Sequence, residues 1–167
     1  MKIGVISDTH DNVPLVAKAV NFFNSEGCGL VIHAGDYCAP FALNPFSGLR
    51  CRWLGVFGNN DGDKKALQMK SNGMILEHPH NYSLSDKRII VTHELEDVAG
   101  LQEKIERAEC DILIYGHTHK VDIRKINNTL VVNPGECGGW LYGKSTVAII
   151  DLEKMQALEI TLNSSSH

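Results

Sequence analysis

Five apolar, β-branched runs in this chain each stop at a group of residues able to hold a metal ion. Ile3 to Ile6 leads into Asp8-Thr9-His10, Leu30 to Ile32 into Gly35-Asp36, and Trp53 to Phe57 into Gly58-Asn59-Asn60-Asp61. Ile89 to Val91 leads into Thr92-His93, and Ile112 to Tyr115 into Gly116-His117-Thr118-His119. Short runs of this kind read as buried strands, so each polar group falls at a strand's C-terminal end. That edge is where α/β sheets gather their ligand sites. The pattern therefore constrains the chain to an α/β arrangement with one polar rim, and a metal centre is the leading reading of that rim.

Between these strands the first half of the chain alternates with helices. Pro14 suits a first helical turn, and Leu15, Val16, Ala19, Val20, Phe22 and Phe23 recur at helical spacing up to Gly27. Strands are expected over 2–7, 30–34, 51–57, 74–76, 82–84, 88–92 and 111–115, with an irregular stretch through Pro40 and Pro45. Helices are expected over 62–72 and 96–108. From Val121 the pattern changes to consecutive strands, 121–126, 129–133, 145–151 and 155–162, read as a β-meander with hairpin signals at Asn127-Asn128 and Glu153-Lys154. Strand–helix units leading into a meander predict two mixed sheets packed face to face with helices outside.

A length of 167 residues suits one domain; it is drawn over 1–162, leaving 163–167 as a disordered tail or tag remnant. The net charge of −4 gives neither nucleic acid nor a membrane surface a basic face to bind. The 5 cysteines form no CxxC pair, and no leader or membrane-spanning run is evident, so a reducing, cytoplasmic setting is expected.

The ligand types define the chemistry. Asp8 and His10 are one residue apart, so on an extended strand end both face the same way. His117 and His119 repeat that spacing. Asp36, after a glycine that allows close backbone approach, suits a bridging role through its two oxygens, and Asn59 adds a neutral carbonyl oxygen. Two divalent cations against two carboxylates leave a shell of about +2, which attracts phosphate and acidifies a bound water. The mixed oxygen and nitrogen set suits Mn²⁺, Fe²⁺, Ni²⁺, Co²⁺ or Zn²⁺ better than Mg²⁺ or Ca²⁺.

This ordered set, with Asn133-Pro134-Gly135 downstream, resembles the calcineurin-like metallophosphoesterases, in particular their compact bacterial and archaeal phosphodiesterase branch. The resemblance implies an α/β four-layer αββα sandwich. It implies that Asp8, His10, Asp36 and His119 hold one metal ion and that Asp36, Asn59, His93 and His117 hold a second, with Mn²⁺ preferred. It implies a cytoplasmic phosphodiesterase acting on a small-molecule diester by in-line attack of a bridging hydroxide, with Asp36, His117 and Asn60 as catalytic residues and Asn60 and His10 touching substrate. A homodimer or homotetramer is also implied. Many relatives carry histidine where this chain has Asn60, and asparagine cannot act as a general acid. Activity is accordingly expected to favour diesters with good leaving groups. Glu94 replaces the usual glycine after the histidine ligand, and a carboxylate there would narrow the mouth or repel doubly charged monoesters. The alternatives are a phosphomonoesterase on the same site and a scaffold of the same fold, as in the retromer coat.

Other residues are read structurally. His33 is expected as a hydrogen-bonded core histidine, His78 and His80 as solvated, Asp61 as a cap for the helix after it, and Asp11-Asn12 as an Asx-type turn. Cys38 and Cys137 read as packed thiols, and Lys64, Lys65 and Lys70 as a solvated helix face. For Trp140 and Tyr142 two readings stand level, stacking on a substrate ring and lining a subunit contact.

Overall fold

The structure, a computed structural model, describes residues 1–162. Its first sheet contains β1 (Lys2–Ile6), β2 (Leu30–His33), β3 (Arg52–Val56), β4 (Ile75–Leu76), β10 (Thr146–Asp151) and β11 (Gln156–Thr161), in the spatial order β11-β10-β1-β2-β3-β4. The second contains β5 (His80–Leu84), β6 (Lys87–Val91), β7 (Ile112–Ile114), β8 (Val121–Ile126) and β9 (Thr129–Pro134), in the order β5-β6-β7-β9-β8. β1, β2, β3 and β4 run parallel, as do β6, β7 and β9, while β10, β11, β5 and β8 pair antiparallel. Both sheets are mixed.

The central strands β1, β2, β7, β9 and β10 are buried on both faces because each sheet is covered twice. Ile3, Val5, Ile32, Val56, Ile89, Ile112, Ile114, Val132 and Ile150 meet in the layer between the sheets. The alternate residues, such as Ile6, Val31, Val147 and Ile149, face outward against Val16, Ala19 and Phe23 of α1 (Val13–Ser25), with Phe46 of the 3₁₀ segment Pro40–Gly48 and Leu67 of α2 (Lys64–Lys70). On the far side, Ile90, Leu113 and Val131 pack with Val98 and with Leu101 of α3 (Leu101–Glu106). The result is the four-layer αββα sandwich. No helix among the described residues is long and apolar enough to cross a membrane.

Three expectations change. The last four strands form no single meander: β8 and β9 pair in the second sheet, whereas β10 crosses to the first and lies antiparallel to β1. The reason is that β10 alternates two apolar sets, Val147 and Ile149 on one face and Ala148 and Ile150 on the other, and only a central position buries both. The helix expected over 96–108 is broken into a 3₁₀ turn, Leu95–Asp97, and the short α3, because Gly100 takes a left-handed φ of 64°. The helix expected over 62–72 is trimmed to α2, which Asp63 caps by accepting from the Ala66 amide at 2.9 Å. Residues 163–167 lie outside those described.

Candidate metal centre

The C-terminal ends of β1, β2 and β3 in one sheet, and of β6 and β7 in the other, open onto a common rim. Just beyond β1 and β2 the backbones stay zipped: the Asp8 amide donates to the Gly35 carbonyl (3.0 Å), and those of Thr9 and His10 to the Asp36 carbonyl (3.0 and 3.1 Å). The turns beyond are sharp. Asp8, His10, Asp36, His117 and His119 all take positive φ, between 40° and 66°. Left-handed backbone is uncommon outside glycine, and its concentration here marks strain held by the surrounding structure at a site of chemistry.

These turns aim side chains at one another. Asp8, His10, Asp36 and His119 each offer a ligand atom, all within 4.8 Å of one another. His10 Nε2 and His119 Nε2 are 3.2 Å apart, Asp8 Oδ1 is 3.4 Å from His119 Nε2, and Asp36 Oδ2 is 3.5 Å from His10 Nε2. A second group shares the same carboxylate: His93 Nε2 is 3.5 Å from Asp36 Oδ2 and 2.9 Å from Asn59 Oδ1, which is itself 3.0 Å from His117 Nδ1. All seven residues expected as ligands thus converge. Atoms bound to one ion at about 2.0–2.2 Å lie about 3.0–3.5 Å apart, the spacing seen here.

A divalent cation fits this donor set on a further ground. Asp8 Oδ1 is buried with no hydrogen-bond partner, a costly arrangement for a carboxylate unless something positive faces it. Burial raises the Asp8 carboxyl above its usual range, the nearby His93 opposing it. For Asp36, burial also works upward, yet the hydrogen bond and charge of His93, with two donors from Asn60, overcome it and hold the carboxyl well below the usual range. Burial pulls His93 down, but the Asp36 carboxylate outweighs it and raises the imidazole to about 9. In the metal-free protein, therefore, a proton on His93 balances the buried carboxylates.

A supporting layer fixes the ring orientations. His93 Nδ1 is 2.7 Å from the Ala34 carbonyl, and His119 Nδ1 is 3.0 Å from Glu136 Oε2, so in each ring Nε2 faces the cluster. Asn133 donates to the Gly116 carbonyl (2.8 Å) and to Thr118 Oγ1 (3.1 Å), pinning the loop that carries His117 and His119. His33 is buried and neutral, its pKa lowered by desolvation. Its Nδ1 accepts from the Gly35 amide (3.1 Å), which puts its proton on Nε2, 3.2 Å from Thr9 Oγ1; that hydroxyl donates to the Asp36 carbonyl (3.2 Å). Glycine is required at two approaches. A Cβ on Gly58 would stand 2.2 Å from Asp36 Oδ1 and 2.4 Å from its backbone nitrogen, and one on Gly116 would stand 2.1 Å from Ser7 Oγ.

The expectations for Asp61 and His78 need revision. Asp61 does not cap α2. It is buried and accepts from the amides of Asp36 (3.2 Å), Tyr37 (2.7 Å), Cys38 (2.8 Å) and Gly58 (2.7 Å), binding the β2 and β3 loops together. His78 is not solvated: it pairs with Asp97 at 3.3 Å and meets Thr92 Oγ1 at 3.3 Å. Asn60 places its backbone N–H and side-chain amide on Asp36, at 2.8 and 2.7 Å. Cys38 Sγ lies 3.3 Å from His10 Nδ1, and Glu94 stands at the mouth, 3.8 Å from His117. Glu136 carries no expected role in the sequence reading; its one signal is a carboxylate inside a glycine-rich turn downstream of Asn133-Pro134-Gly135.

Known proteins share both the sequence and the architecture. A phosphodiesterase of Methanocaldococcus jannaschii is 37% identical over 166 residues, covering 97% of this chain and 99% of its own. The solved structure of an archaeal phosphodiesterase superposes with a TM-score of 0.89 at 36% identity, over 97% of this chain and all (100%) of that one. An E. coli phosphoesterase, Yfce, shares the fold at a TM-score of 0.73 and 18% identity, covering 98% of this chain and 100% of its own. The family model of the calcineurin-like phosphoesterase superfamily domain matches residues 1–155, and with the relatives above this establishes that the chain belongs to that superfamily.

Proposed function

We propose that the protein is a phosphodiesterase that uses two divalent metal ions, Mn²⁺ preferred, on a small-molecule phosphodiester. In this reading Asp8, His10, Asp36 and His119 hold one ion, and Asp36, Asn59, His93 and His117 hold the other. The observation that carries it is Asp36, whose Oδ2 stands 3.5 Å from both His10 Nε2 and His93 Nε2, so one carboxylate adjoins both halves of the site and would be shared by the two ions. When bound, the ions supply Lewis-acid charge and a water acidic enough to attack phosphorus near neutral pH.

The rest falls to the chain. Asp36 sets the spacing of the two halves of the site, and Asn60 steadies it. One hydrogen of the Asn60 amide is on Asp36, and the second is available to a phosphoryl oxygen on which charge develops. Both ring nitrogens of His10 are engaged, with the cluster and with Cys38, which favours a ligand over a substrate-contacting role. His117 is the most exposed of the imidazoles in the cluster and faces the entering diester. With asparagine at 60 the chain offers the departing oxygen no acid there, so leaving groups that depart as stable anions are favoured; such an acid is worth about 10²–10⁴-fold. All five cysteines are free thiols, consistent with work in the cytoplasm.

The test is metal-depleted protein reloaded with Mn²⁺ and assayed on bis(p-nitrophenyl) phosphate beside p-nitrophenyl phosphate, with Asp36→Ala as control. Metal-dependent diester hydrolysis that disappears in the variant is the expected result. A strong preference for the monoester would overturn the argument from Asn60. No turnover with Mn²⁺, Ni²⁺, Co²⁺ or Zn²⁺ would assign the fold to a scaffold.

A further inference from the structure

A cleft of ≈ 240 Å³ begins at His119 and continues past Lys120, Tyr142 and Lys144. Beside it stands the turn Trp140-Leu141-Tyr142, whose side chains are 66%, 64% and 53% exposed. Wetting three large apolar residues in a row gains a soluble protein nothing, yet this turn is built into place. Gly139 and Gly143 take left-handed φ of 65° and 67° at its ends. The Leu141 and Tyr142 amides donate to the Glu136 carboxylate at 3.0 and 2.6 Å, and that carboxylate also holds His119 Nδ1. Trp140 Nε1 donates to the His10 carbonyl at 3.1 Å. Lys120 Nζ lies over the Tyr142 ring, 5.7 Å from its centroid, a cation–π contact that orders an otherwise exposed ring. The aromatic turn is therefore indexed to His10 and His119.

A stable subunit contact buries about 1,200–2,000 Å², far more than one three-residue turn supplies, and the cleft has His119, a residue of the cluster, in its wall. A phosphate seated at the cluster shares His119 with this cleft. Lys144 is already paired with Glu159, whereas Lys120 has no carboxylate partner among the described residues. The lining thus offers a planar ring and an available cation to whatever the phosphorus carries. Resting on the phosphodiesterase reading, we propose that this cleft is the subsite for one ester arm of the diester. The arm bears a planar aromatic ring, and Tyr142, in the cleft wall, determines specificity for it.

The experiment keeps p-nitrophenolate as leaving group and varies the other arm: methyl, phenyl or thymidine-5′, on Mn²⁺-loaded protein. Ring-bearing arms are preferred over methyl. That preference falls about tenfold in Tyr142→Ala, through KM, as loss of a stacking partner requires, and Tyr142→Phe restores it. An arm preference equal in wild type and Tyr142→Ala overturns the proposal. Separately, diphenylphosphinate, which has no ester bond to break, quenches Trp140 fluorescence saturably and dimethylphosphinate does not, with Trp140→Phe identifying the signal. If no diester is hydrolysed, the phosphodiesterase reading fails alone, and this quenching still supports an aromatic subsite; its absence overturns that subsite too. An oligomer that dissociates on Tyr142→Ala, seen by sedimentation, would overturn the proposal in favour of a subunit contact.

Discussion

At the scale of single residues, carboxylates that touch no substrate decide how well the site holds metal. Glu136 accepts from His119 and from two amides, fixing which imidazole nitrogen faces inward. Glu136→Gln is expected to weaken Mn²⁺ binding about 10–100-fold, the range for such supporting groups, read by titration calorimetry. The His93–Asp36 pair predicts how the metal-free protein responds to pH. His93 is raised from 6.5 to about 9 in the folded chain, so its contribution to stability is complete below the unfolded value and is lost as pH rises through the folded one. Thermal midpoints of chelator-treated protein are expected to fall as pH rises from 6.5 to about 9. His93→Gln should flatten that slope. Loading Mn²⁺ at neutral pH must expel the His93 proton, so calorimetry in buffers of different ionisation enthalpy detects proton release.

Elements position these residues through loops that tolerate little change. Gly58→Ala would drive a Cβ to 2.2 Å from Asp36 Oδ1, and the β2 loop must move to admit it; loss of metal-dependent activity with a cooperative fold retained is the expected result, checked by assay and circular dichroism. Asp61→Ala strips four amides of their acceptor and should cost about 3 kcal/mol or more in urea unfolding. Much at this scale is legible in sequence. The five strand-end groups predict the rim, because apolar runs define strands and a strand's end determines where the next residues emerge. Asp61 is not legible, because a carboxylate just before a helix has the local pattern of a cap, while its real partners on the Asp36-Tyr37-Cys38 turn are distant in sequence. Glu136 is hidden for the same reason: its meaning lies in His119, seventeen residues away. The crossing of β10 is hidden because periodicity gives a strand's faces and not its neighbours.

Over the whole molecule, ligands come from both sheets, and the apolar layer between them sets their distance. Mn²⁺ at about 100 times its dissociation constant should stabilise the fold by about 2.7 kcal/mol, seen as a raised thermal midpoint that Asp36→Ala abolishes. Ile112→Ala, in the layer between the sheets and fully buried, should cost about 2–5 kcal/mol and weaken metal binding with it. The position of β10 carries a temporal meaning as well. It lies next to β1, so the first sheet cannot close on the ribosome until Asp151 has emerged, by which time His119 is long since made. Asp8, His10 and Asp36 are synthesised early, whereas His93, His117 and His119 come from the second sheet and are made much later. A chain that has emerged only as far as Asp36 therefore lacks every histidine of the cluster but His10, and the full donor set exists only once His119 has been made.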